Sequence, residues 1–141
     1  MTGNATAIPQ NSPPNVAQQR VLVLDFGSQY AHLIARRVRE NGVYSEIQPF
    51  NKLTAESIRA YSPKGIILSG GPASVMEAEA PRAPDGLFEM GLPVLGICYG
   101  QQTMVEQLGG KIEAHENKEF GRATVTITDD CALFDSDWKN G

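Results

Sequence analysis

The stretch "VLGICYGQQ", residues 94–102, carries one of only two cysteines in a chain of 141 residues. An apolar run ends at Gly96, and Cys98 then sits between Gly96 and Gly100 in the pattern G-x-C-x-G. That pattern suits a nucleophile elbow, a sharp strand-to-helix turn in which the nucleophile takes strained backbone angles and needs small neighbours. The sulfur would then stand at a helix N-terminus, where the macrodipole favours thiolate. The backbone N–H of Tyr99 would point to where an oxyanion forms. The same spacing also fits a buried structural thiol, because cysteine is among the most buried residue types and glycines are common at strand ends.

A second stretch, "SGGPAS" at residues 69–74, strengthens the chemical reading. Consecutive glycines after an apolar run can present N–H groups in an open turn. That of Gly71 is the candidate for a second oxyanion donor. An ordinary tight turn has the same composition. Gln101 and Gln102 follow the cysteine in the first helical turn, where a side-chain amide can bind an amide-bearing substrate; Gln101 reads better as solvated. A cysteine hydrolase also needs a base and a carboxylate that orients it. The chain offers only His32 and His115, the latter beside Glu116, and neither has a spacing that demands more than a structural role.

The elements that must position these residues follow from the apolar pattern. "VLVLDF" from Val21, "VYSEIQPF" from Val43, "GIILS" from Gly65 and "PVLGI" from Pro93 read as strands, the continuous runs as buried ones. Between them a helix is expected from Tyr30, with Tyr30, Leu33, Ile34 and Val38 on one face and Gly42 as its left-handed cap. A short helix is expected over "TAESIRAY", with Thr54 as N-cap and Pro63 as its stop. "DGLFEM" gives a weak helix, and Tyr99 to Leu108 another. "ATVTITDD" alternates as a half-buried fifth strand should. The order β-α-β-α-β-α-β-α, then β, implies an α/β fold, a doubly wound, mostly parallel sheet with helices on both faces. Ligands in such sheets bind beyond the carboxyl ends of the strands. The glycine-bearing breaks at Gly27-Ser28, at Gly70-Gly71-Pro72 and around Cys98 all fall there.

Composition bounds the rest. The length suits about one domain. An apolar fraction of 41% and a charged fraction of 20% fit a globular core. A net charge of −4 gives no reason to expect nucleic acid as a partner. No apolar run approaches the ~20 residues that span a bilayer, so no membrane partner is expected. Two cysteines are too few for a disulfide framework or a four-ligand zinc site, so no metal is expected, and a cytoplasmic setting follows. Residues 1–19 are polar, contain Pro9, Pro13 and Pro14, and read as a disordered leader. They lack the basic and apolar segments of a secretory signal or transit peptide.

"GICYGQQ" together with "ILSGGPASV" resembles the class I, triad-type glutamine amidotransferase family, whose fold is flavodoxin-like. "VLVLDFGSQYAHLIARRVRE" and "NKEFGRATV" are similar to the amidotransferase domains of the GMP synthase branch, and the resemblance runs from about Val21 to about Phe134. It implies that Cys98 attacks the side-chain amide of glutamine, forms a glutamyl thioester and releases ammonia. Gly71 and Tyr99 would donate to the oxyanion, Gln102 would contact the glutamine, and Gly70 and Pro72 would shape the same loop. The ammonia would pass to an ATP-pyrophosphatase domain that uses ATP and magnesium to aminate XMP to GMP, in an enzyme expected to be a homodimer. The family's catalytic His-x-Glu lies well downstream of "EFGRA", and His115-Glu116 does not match it. Residues 20–141 are therefore expected to be the N-terminal part of such a domain, with no cofactor of its own and inactive alone. Another class I amidotransferase, such as that of anthranilate or carbamoyl-phosphate synthesis, and a non-catalytic glutamine-binding remnant are the alternatives.

Overall fold

The four strands expected from the apolar runs form one sheet. The structure, a computed structural model, describes residues 19–74, 76–114, 121–129, 131, 133 and 134. Strands β1 (Arg20–Asp25), β2 (Tyr44–Pro49), β3 (Gly65–Leu68) and β4 (Val94–Gly96) lie in the order β2-β1-β3-β4, and every pairing is parallel. The helices are α1 (Ala31–Glu40), α2 (Ala55–Tyr61) and α3 (Tyr99–Gln107).

Strand alternation assigns the two faces. On one face Leu22, Leu24, Ile66 and Leu68 pack with Ile58 and Tyr61 of α2 and with Tyr99 of α3. On the other, Val21 and Ile67 meet Leu33, Ile34 and Val38 of α1 along a groove of about 540 Å³. The handedness rule explains the split. The chain moves from β1 outward to β2 in one direction, then back past β1 to β3 and β4 in the other. Right-handed crossovers made in opposite directions leave their helices on opposite faces. The sheet is therefore doubly wound, and its switch point lies between the carboxyl ends of β1 and β3, where a crevice must open.

Local chemistry sets the helix ends as expected. Thr54 Oγ1 accepts from the Ser57 N–H at 3.1 Å, and Ser57 Oγ accepts from the Thr54 N–H at 3.0 Å, so the two close a capping box. Gly42 follows the end of α1 with φ +78°. Three expectations fail for identifiable reasons. "DGLFEM" makes only a three-residue 3-10 turn, Leu87–Glu89. Gly86 at φ +83° and Gly91 at φ +72° flank it and leave room for a single turn. "ATVTITDD" forms no strand over 123–129; Val125 is 65% exposed and every other position there except Ile127 is exposed too, so its alternation buries no face. Tyr30 is not on the buried face of α1 but is its exposed N-cap, and Ala31 and Ala35 are the buried residues. Small side chains let α1 lie close to the sheet, and Ser45 Oγ donates to the Ala35 carbonyl at 2.8 Å. The leader expected over residues 1–19 lies outside the described residues except for Gln19.

The two faces differ in cover at β4. Leu95 pairs with Ile67 on the α1 side and remains 39% exposed, whereas Leu68 is fully buried. Leu68→Ala should cost about 2–5 kcal/mol, because it leaves a cavity in a packed core. Leu95→Ala should cost less than about 1 kcal/mol. Urea unfolding of both variants checks the difference, and equal losses would mean the α1 side of β4 is as well packed as the other.

Candidate active site

Three strand ends build the crevice at the switch point. At the end of β1, Asp25 Oδ1 accepts from the Gly27 N–H at 2.7 Å and the Ser28 N–H at 3.1 Å, which closes the turn. Ser28 Oγ accepts from the Tyr30 N–H at 3.0 Å and starts α1. At the end of β3, the Ser69 N–H continues the ladder to the Leu24 carbonyl at 3.0 Å. Gly71 then crosses Phe26 so closely that a Cβ would sit 2.5 Å from the Phe26 carbonyl oxygen. No other residue fits there without moving the loop.

At the end of β4 the chain turns directly into α3 through Cys98, whose backbone takes φ +52° and ψ −117°. Among non-glycine residues with positive φ in the described chain, only Ser62 shares this property. The flanking glycines are required by space. A Cβ on Gly96 would stand 2.6 Å from Gln101 Cα, and one on Gly100 would overlap the Leu68 carbonyl. These contacts and angles give the turn the geometry that a nucleophile elbow has.

Phe26 and Tyr99 support the crevice from below. Their ring centroids are 5.4 Å apart, and Phe26 also stacks on Phe50 at 5.4 Å. The Tyr99 phenol donates to the Pro81 carbonyl. Burial pushes its pKa up, which keeps it a neutral donor. Farther along α3, the Gln107 amide accepts from the Ala83 N–H at 2.9 Å and donates to the Ala83 carbonyl at 3.2 Å. The loop before β4 is thus tied to α3 at two points.

The resulting cleft holds about 640 Å³. Leu33, Ile34, Pro72 and Ile97 give it apolar walls, and Ser28 and Gln29 supply side-chain polar groups. Gly70, Gly71, Pro72 and Cys98 all line it, as the sequence expected. A Cβ on Gly70 would touch Cys98 Cβ and Ser28 Oγ, each at 3.6 Å, so its absence keeps the space between them open. The N–H groups of Gly71 and Tyr99 have no acceptor among the described residues. Gln102 is exposed on α3 and does not line the cleft; its N–H donates to the Cys98 carbonyl at 3.2 Å.

No base from the described residues reaches Cys98. His32 lies in a separate groove with Arg39, Tyr44 and Glu46, and His115 and Glu116 lie outside the described residues. Cys131 is exposed and sits away from every cleft described. Among the described residues no three His, Cys, Asp or Glu side chains could hold a metal ion, and no helix is long and apolar enough to cross a membrane. The sequence reading missed Phe26 and Ser69. Their only signal was position, as the last residue of one apolar run and the first polar residue after another.

The profile of the class-I glutamine amidotransferase family matches residues 22–139. A glutamine-hydrolysing GMP synthase of Rhodopseudomonas palustris strain HaA2 is 59% identical over 133 residues, which is 93% of this chain and 24% of that protein. Its counterpart in Teredinibacter turnerae is 61% identical over 120 residues, 85% of this chain and 23% of that protein. The chain thus spans about a quarter of the length of the curated relatives it matches. A solved structure from Thermoplasma acidophilum, assigned as one polypeptide of a GMP synthase, superposes with a TM-score of 0.63 at 29% identity. It covers 75% of this chain and 53% of its own.

The backbone at Cys98 is strained, and such a conformation costs about 1–3 kcal/mol for a residue with a Cβ. Cys98→Gly should therefore be more stable than Cys98→Ala by about 1 kcal/mol or more, read from urea midpoints. Equal stability would show that the turn relaxes when the sulfur is removed.

Proposed function

The chain belongs to the class-I glutamine amidotransferase family, and on that premise we propose that Cys98 is the nucleophile that hydrolyses glutamine to supply ammonia for the amination of XMP to GMP. One observation carries the reading. A cysteine on a strand-to-helix elbow faces a cleft beside two backbone N–H groups that have no acceptor among the described residues.

The chemistry follows from that arrangement. The Cys98 thiolate adds to the side-chain carbonyl carbon of glutamine. The negative charge on the carbonyl oxygen is received by the N–H groups of Gly71 and Tyr99. The tetrahedral adduct collapses, the C–N bond breaks, and ammonia leaves with the proton that the base took from the Cys98 thiol and now returns as an acid. Water then cleaves the thioester, releases glutamate and returns the thiol. Gly70 and Pro72 shape the donor loop. The base and its carboxylate come from outside the described residues, as the His-x-Glu pair of the family.

Ammonia passes to an ATP-pyrophosphatase domain, which activates the XMP carbonyl with ATP and magnesium. The names and identities of the GMP synthase relatives support this acceptor over those of anthranilate or carbamoyl-phosphate synthesis. The complete enzyme is a cytoplasmic homodimer in this reading. A non-catalytic glutamine-binding module is the second reading, favoured only by the lack of a base near Cys98 among the described residues.

An electrophilic glutamine analogue should label Cys98 and spare Cys131 when peptides are mapped by mass spectrometry; equal labelling would remove Cys98 from its role. In the full polypeptide that carries this chain, Cys98→Ala should lower glutaminase activity by about a thousandfold or more. It should also abolish GMP formation from XMP, ATP and glutamine while leaving ammonia-dependent GMP formation intact. Glutamine binding without glutamate release by the unaltered polypeptide would establish the second reading instead.

A further inference from the structure

Ser69 is fully buried, yet it is polar and stands directly before the two glycines of the cleft. Its hydroxyl is engaged on both sides. Ser69 Oγ accepts from the Phe26 N–H at 3.4 Å and donates to the Gly70 carbonyl at 3.1 Å. With a lone pair taken by the Phe26 N–H, the hydroxyl's single proton is committed to the Gly70 oxygen.

The Gly70 carbonyl and the Gly71 N–H belong to one peptide unit. That unit is planar and trans, since no cis peptide bond occurs in the described chain. In a trans peptide the C=O and N–H point in opposite directions. A group that grips the carbonyl from below therefore aims the N–H on the far side. The pair of glycines cannot hold this orientation alone, because glycine has access to more backbone conformations than any other residue. Phe26 blocks the loop from sinking, since its carbonyl oxygen lies 2.5 Å from the Cβ position of Gly71. It does not fix rotation of the peptide plane.

We infer that Ser69 is a positioning residue for glutamine hydrolysis: its hydroxyl locks the Gly70–Gly71 peptide so that the Gly71 N–H faces the oxyanion formed at Cys98. The inference rests on the reading of Gly71 as an oxyanion donor. Ser69 touches no substrate. It ties the donor loop after β3 to the backbone just past β1, so the oxyanion site is referenced to the centre of the sheet rather than to a free loop.

The test is Ser69→Ala in the full polypeptide that carries this chain. Loss of one oxyanion donor costs about 10²–10³ in kcat, and a misdirected one should cost about tenfold or more. KM for glutamine should stay within about twofold, because the aimed N–H acts mainly on the developing charge. Alkylation of Cys98 by iodoacetamide, which develops no oxyanion, should keep its rate. A kcat within twofold of the unaltered protein overturns the inference, and so does an alkylation rate that falls in parallel with kcat. A crystal structure of Ser69→Ala should show the Gly70–Gly71 peptide turned; an unturned peptide also overturns it. If the variant does not fold, the thioester adduct of the unaltered protein decides, through whether the Ser69–Gly70 hydrogen bond persists while Gly71 donates to the carbonyl oxygen. If the unaltered polypeptide hydrolyses no glutamine, the reading of Cys98 fails on its own. The peptide orientation in Ser69→Ala then still judges Ser69.

Discussion

The carboxyl edge of this sheet depends on backbones lying closer together than a Cβ permits. Gly100 rests on the Leu68 carbonyl, Gly96 on the backbone of Gln101, and Gly71 on the carbonyl of Phe26. Each contact joins a different pair of segments: β3 with α3, β4 with α3, and the loop after β3 with the end of β1. Three glycines together draw three strand ends and one helix start to a single spot. The strain at Cys98 persists because these contacts determine the path on both sides of it, which is how an unfavourable backbone survives in a folded chain.

Topology gives that spot its crevice. The chain reverses its winding direction after β2, so α1 and α2 leave the sheet on opposite faces and the space between the ends of β1 and β3 stays open. Packing then differs by face. The side carrying α2 and α3 forms the continuous core, with Tyr61, Leu22 and Leu68 fully buried. The α1 side has helical cover over β1 and β2, and it thins towards β4.

Much of this was legible in the sequence because the signals were local. Continuous apolar runs, Gly42 past a helix end, Thr54 before one, and G-x-C-x-G at a strand end each carry their physical cause within a few residues. The misreadings each took a periodic pattern for the whole signal. "ATVTITDD" has the alternation of a strand, but all of its described positions except Ile127 are exposed, so the alternation buries no face. "DGLFEM" has the pattern of a helix, but its flanking glycines limit it to one turn. Tyr30 has the period of a buried position, but α1 begins after it. At the cleft, Cys98 and Gly71 stood out by spacing and Gly70 and Pro72 through the family resemblance, and all four line it, whereas Ser69 and Phe26 did not stand out. Their importance arises from contacts between β1 and β3, separated by 43 residues in sequence, and no local pattern encodes such a pairing.

The cleft walls contain no lysine, arginine, histidine, aspartate or glutamate among the described residues. Whatever field acts on a charge at Cys98 from these walls is therefore made of fixed dipoles: the first amides of α3 and the amide of Gly71. Dipoles of this kind neither titrate nor gather counter-ions, and their directions are settled when the chain folds. The reorganisation that water would have to undergo around a new charge is completed here before any substrate arrives. In the described part of the chain, the machinery that would stabilise charge is the backbone itself, so its performance and the cooperativity of the fold are a single property.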